Sequence, residues 1–175
     1  MSAHPAPSAS APREFFGHPS ALAYLFATEM WERFSYYGMR ALLTLYMIKY
    51  LLLPAQAGGV VGLAGFKSML EAAFGPLALP PLASQIYGFY TGLVYLTPIF
   101  GGLLADRLLG QRRTVILGAS LMAAGHFLMA SERFYLFALT LLILGNGAFK
   151  PNISTQVGSL YAPGDPRRDR GSPGA

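Results

Sequence analysis

Apolar residues gather in four long runs separated by short polar or broken segments. The runs cover about residues 21–53, 84–104, 114–130 and 134–160. As α-helices rising about 1.5 Å per residue, each is long enough to cross a hydrocarbon layer of about 30 Å. The first would extend roughly 50 Å if helical throughout, so it must tilt, bend or protrude, and Gly38 is one place to bend. Residues 54–83 are too interrupted by Gly and Pro to span. A short amphipathic helix near Phe66 to Phe74, lying at an interface, is expected there. The pattern predicts an all-α integral membrane fold with about four transmembrane helices inside residues 20–161. A loop at 54–83 and tails at 1–19 and 162–175 complete it. The first tail opens "MSAHPAPSASAP", a disordered composition and not that of a signal peptide.

Composition strengthens the membrane reading, because 53% hydrophobic and only 12% charged residues exceed what a soluble domain of this length carries. With no Cys, disulfides and thiolate metal sites are excluded. The formal charge of +5 does not point to nucleic acid, since the basic residues lie at the ends of apolar runs and form no stripe interleaved with aromatics. It sets topology instead. With the N-terminus inside, the inner side holds Arg13, Arg107, Arg112, Arg113, Arg167, Arg168 and Arg170, against Lys49, Lys67 and Arg133 outside. The positive-inside rule therefore favours a cytoplasmic N-terminus in a multi-pass protein of the cell membrane.

Within the spans, the stretch "EMWERFSYYG" carries the chemistry. Glu29, Glu32, Arg33, Tyr36, Tyr37 and Arg40 recur at separations of three or four, so a helix gathers them on one stripe. Glu29 and Arg33 can pair locally, but Glu32 and Arg40 need partners from another helix or from water. Each such charge costs about 2.5–3.5 kcal/mol at mid-bilayer. A carboxylate there whose partner comes and goes is a candidate proton carrier. The plainer alternative is a static salt-bridge network fixing the bundle.

A second charge, Lys150, follows a long apolar run and precedes Pro151, which removes a backbone donor and is expected to kink the helix. Gly145, Gly147 and Gly158 allow close packing or bending nearby. A cavity facing Lys150 could hold a ligand carboxylate or share a proton-linked ion pair with a first-helix glutamate; a lysine capping a helix end is the alternative. The third motif, "GGLLADRLLGQRRT", reads as a gating hinge. Its glycines permit tight packing, Asp106 can accept hydrogen bonds from the start of the next helix, and Arg107, Arg112 and Arg113 face an anionic inner leaflet. His4, His18 and His126 are dispersed and form no catalytic or metal cluster, so an enzyme is not expected. His126 reads as a hydrogen-bonded core histidine.

This third motif resembles the loop signature between the second and third helices of the major facilitator superfamily. "EMWERFSYYGMR" and "GNGAFKPNIS" resemble two signatures of its proton-dependent oligopeptide transporter (POT/PTR) branch. The resemblance runs from about Phe15 to Asp169 and implies proton-coupled symport of di- and tripeptides, with the proton as coupling ion and no other cofactor. It assigns proton coupling to Glu29, Glu32, Arg33 and Lys150. Peptide binding would fall to Arg33, Tyr37, Arg40, Tyr95 and Lys150. Gating falls to Gly102, Asp106, Arg107, Gly110, Arg112 and Arg113.

Facilitator folds have two six-helix halves, each of inverted three-helix repeats, whereas about four spans are present here, corresponding to the start of the N-terminal half. Where a fifth apolar helix should begin, "YAPGDPRRDRGSPGA" turns to Gly, Ser and Pro. A truncated or frameshifted fragment that lacks its C-terminal half as partner is the expectation. Two alternatives remain: a small four-helix proton antiporter acting as an oligomer, and a family member carrying nitrate or another small anion.

Overall fold

The computed structural model describes residues 14–15 and 18–160, so most of the first expected tail and all of the second lie outside the described residues. The end of the first tail differs from the expectation: β1 (Glu14–Phe15) pairs antiparallel with β2 (His18–Pro19).

Helix α1 (Ser20–Tyr46) runs unbroken through Gly38, and the departure from α-geometry falls instead in a π turn at Met47–Leu51. A single turn, α2 (Pro54–Ala57), precedes α3 (Leu63–Phe74). The latter starts three residues ahead of the expected amphipathic helix because Gly62, at φ 82°, sets its first turn, and Gly75, at φ 80°, ends it. Only glycine takes such backbone angles without cost. Helix α4 (Leu79–Leu104) likewise begins before the apolar run, since Pro80 and Pro81 fit a first turn that needs no intrahelical N–H. A π turn at Ala105–Leu109 leads to α5 (Gln111–Leu128), and a 3-10 turn at Glu132–Phe134 leads to α6 (Tyr135–Ser159).

Helix α6 lies between α4 and α5 and is buried along most of its length. Glycines make this possible. A Cβ on Gly101 would stand 2.0 Å from the Gly147 carbonyl oxygen, and one on Gly118 would stand 2.8 Å from that of Gly145. Thr97 Oγ1 donates to the Ile143 carbonyl at 3.1 Å, and Asn152 Nδ2 donates to the Gly101 carbonyl at 3.2 Å, so the α4–α6 seam is stitched in both directions.

The apolar core gathers toward the loop-54–83 end, where Leu43, Met47 and Leu51 meet Ile86 and Tyr90 of α4 and Leu139 of α6. Two helical stretches, Leu79–Leu109 and Glu132–Ser159, are long and apolar enough to cross a membrane. Helix α1, with Tyr24, Phe26, Trp31 and Phe34 open to the outside, is interrupted by its charges.

Candidate functional site

The polar ladder of α1 divides into two groups. Glu29 and Arg33, four residues apart, form an ion pair at 2.6 Å, with the Glu29 side chain largely covered and the Arg33 side chain 45% exposed. Glu32 turns inward. It is 8% exposed and accepts a hydrogen bond from Asn146 Nδ2 of α6 at 3.0 Å. The ladder faces two directions because a 3.6-residue period cannot hold 29, 32, 33 and 40 on one narrow line.

Each of the other three long helices supplies a polar partner to α1. Asn146 of α6 holds Glu32. Tyr87 of α4 accepts a hydrogen bond from Arg40 Nε, with the guanidinium 5.6 Å from the ring centroid. His126 of α5 meets Ser35, its Nε2 lying 2.7 Å from Ser35 Oγ. His126 Nδ1 lies 2.7 Å from the Met122 carbonyl, which can only accept. Nδ1 therefore carries the proton in the neutral ring, and Ser35 donates to Nε2.

Lys150 lies one turn beyond Asn146 on α6, exposed, and close enough for its charge to bear on Glu32. Among the described residues it forms no ion pair within 4 Å. Tyr37 is exposed beside Arg33, and Tyr95 stands open on α4 within electrostatic reach of Tyr36 and Arg40. The structure thus places Glu29, Glu32, Arg33 and Lys150 in one neighbourhood and Arg40 with Tyr95 in the next. A cavity of about 440 Å³ opens between α1, α5 and α6, with Trp31, Glu32, Ser35, Met122, His126 and Phe149 in its wall.

The gating-motif residues lie apart from this cluster. Asp106 is exposed in the π turn, and the expected bond from it to the start of α5 is not formed among the described residues. Helix α5 has no side-chain cap; instead Thr114 Oγ1 donates to the Gly110 carbonyl at 2.9 Å. The π turn and the left-handed Gly110, at φ 75°, complete the connection without Asp106. Gly102 has open space where a Cβ would stand, and Arg107, Arg112 and Arg113 are exposed.

Sequence reasoning missed Asn146, Tyr87 and the Ser35–His126 pair as partners of α1. Asn146 carried a legible signal: a carboxamide one turn before a lysine inside an apolar run.

Residues 112–172 match a family model described as the POT family. The chain is 45% identical over 163 residues to a di-/tripeptide transporter of Lactococcus lactis subsp. lactis, covering 91% of this chain and 29% of that protein. It is 44% identical over 165 residues to the peptide transporter YePEPT of Yersinia enterocolitica, covering 91% and 28%. Among solved structures it resembles a POT family transporter in complex with 5-aminolevulinic acid, with TM-score 0.71, 39% identity and coverage of 91% and 30%. It also resembles peptide transporter POT in complex with sulfate, with TM-score 0.70, 40% identity and coverage of 93% and 30%. The chain therefore spans under a third of the length of these relatives.

Proposed function

Because this chain belongs to the POT family and has an all-α membrane fold, we propose that it supplies the first four spans of a proton-coupled carrier of di- and tripeptides. The observation that carries this reading is Glu32: a carboxylate buried on a helix of a membrane fold, held by Asn146, with Lys150 one turn along the same facing helix. Burial makes its charge costly, and the neighbouring cation makes it tolerable. Adding a proton to Glu32 removes its pull on Lys150, and a free lysine can then receive a carboxylate. A peptide is a zwitterion, so Arg33 and Lys150 suit its carboxyl end, with Tyr37, Arg40 and Tyr95 beside it.

Under this reading the ends of the four spans follow α1, α4, α5 and α6, the N-terminus is cytoplasmic, and Arg107, Arg112 and Arg113 lie at the inner leaflet. The alternation between outward-open and inward-open states requires helices beyond those in this chain.

The test is uptake of labelled dipeptide into proteoliposomes containing the full-length protein, driven by an imposed proton gradient. Glu32→Gln and Lys150→Ala should each abolish accumulation above the outside concentration. Uphill accumulation persisting in both variants would remove the coupling role. Gradient-driven uptake of nitrate and not of dipeptide would replace the substrate assignment.

A further inference from the structure

Asn146 has an acceptor that ionised Glu32 cannot use. Its Nδ2 donates to Glu32, while its Oδ1 is buried and, among the described residues, has no hydrogen-bond donor. The residue itself is 3% exposed, so water does not readily satisfy that oxygen. A buried carbonyl without a donor normally costs a protein about 1–3 kcal/mol. A carboxylate offers only acceptors, whereas a carboxylic acid offers one donor and one acceptor. That is the complement of a carboxamide.

We propose that Asn146 is a positioning residue that holds Glu32 in place in both of its charge states. With Glu32 ionised, Nδ2–H donates to the carboxylate, as seen here. With a proton added from water, the acid O–H donates to Oδ1 while Nδ2–H still donates to the acid carbonyl, closing a two-bond acid–amide pair. The proton brings its own bond with it. The link between α1 and α6 is therefore kept, and what changes is the charge presented to Lys150 on the next turn of α6.

This inference rests on the reading of Glu32 as the proton carrier. The other groups facing Glu32 are Glu29 and Arg33 on α1, Lys150 on α6, Tyr90 on α4, and His126 of α5 across the shared cavity. Of these, Lys150 and Arg33 are cations and cannot accept the acid proton. His126 is already committed to Ser35 and the Met122 carbonyl. Glu29 is held by Arg33, and Tyr90 forms no hydrogen bond to Glu32 among the described residues. Asn146 Oδ1 is the buried acceptor beside Glu32 that still lacks a donor.

The experiment is infrared difference spectroscopy between high and low pH on the full-length protein in lipid. Glu32→Gln identifies the carboxylic-acid carbonyl band that belongs to this residue. In the unmutated protein that band should lie at the low frequency of a doubly hydrogen-bonded acid, and Asn146→Leu should move it up to that of a free acid. Proton-driven dipeptide uptake should fall roughly tenfold in Asn146→Leu, as expected for losing a bond to a charged group. A band at the free-acid frequency in the unmutated protein, or one unmoved by Asn146→Leu, overturns the role of Asn146 and leaves Glu32 as proton carrier. If Glu32→Gln removes no pH-dependent band, the proton-carrier reading fails and this inference with it. The unmutated band decides the matter even if Asn146→Leu does not fold.

Discussion

Replacing Gly101 by alanine should loosen the bundle at one point of contact. The added methyl would stand 2.0 Å from the carbonyl oxygen of Gly147, and also close to its carbonyl carbon and to Ala148 Cα, all backbone atoms that no rotamer change can move aside. The oxygen alone is roughly 1.4 Å short of ordinary contact, so α4 and α6 must separate. Overpacking of this kind costs about 1–3 kcal/mol. Separation also strains the Thr97 and Asn152 bonds across the same seam, each worth about 1 kcal/mol. The Gly147 carbonyl has lost its helical donor to Pro151 and lies over Gly101, where a Cα–H contact replaces part of what is missing. A total of about 3–5 kcal/mol should lower the melting temperature by on the order of 10 °C. The assay is thermal unfolding of the detergent-solubilised 175-residue chain, with Gly92→Ala as control, since a Cβ there meets nothing within 4 Å. Alanine is the better helix former by about 1 kcal/mol, so the control should melt at the same temperature or slightly higher. Equal melting of Gly101→Ala and Gly92→Ala would refute the packing argument.

Two further expectations follow from α1 and from the topology. In a double-mutant cycle of Ser35→Ala and His126→Ala, melting should show a coupling of about 1 kcal/mol, and strict additivity would mean that the α1–α5 bond contributes nothing. With cysteines introduced singly, Ser68→Cys should react with a membrane-impermeant maleimide from outside and Leu108→Cys only from the cytoplasmic side. The reverse pattern would overturn the proposed orientation.

The four long helices were legible because apolar runs set by membrane thickness are long and tolerate few interruptions. Their ends were less so. The start of α4 was hidden by Pro80 and Pro81, which read as breakers although the first turn of a helix admits them. The Glu29–Arg33 pair was readable because its partners share one helix. Glu32, Arg40 and His126 were readable as needing partners, but Asn146, Tyr87 and Ser35 as the answers depend on which faces meet. Spacing along one helix does not encode that. The contact expected of Asp106 failed for a related reason: a π turn shifts side chains by a register that an α-helical reading does not anticipate.

The two kinds of seam in this bundle imply different mechanical properties. Where α6 meets α4 and α5, backbone touches backbone through Gly101, Gly118, Gly145 and Gly147, and any sliding meets hard repulsion within a fraction of an ångström. Helix α1 is fastened otherwise. One end is fixed among Leu43, Met47 and Leu51, and the rest is tethered through side chains that can swing while keeping their bonds. The three-helix block is thus stiff and α1 is a lever pivoted near the loop-54–83 end, and a given rotation moves Glu29, Glu32 and Arg33 farther than it moves Arg40, which sits nearer the pivot.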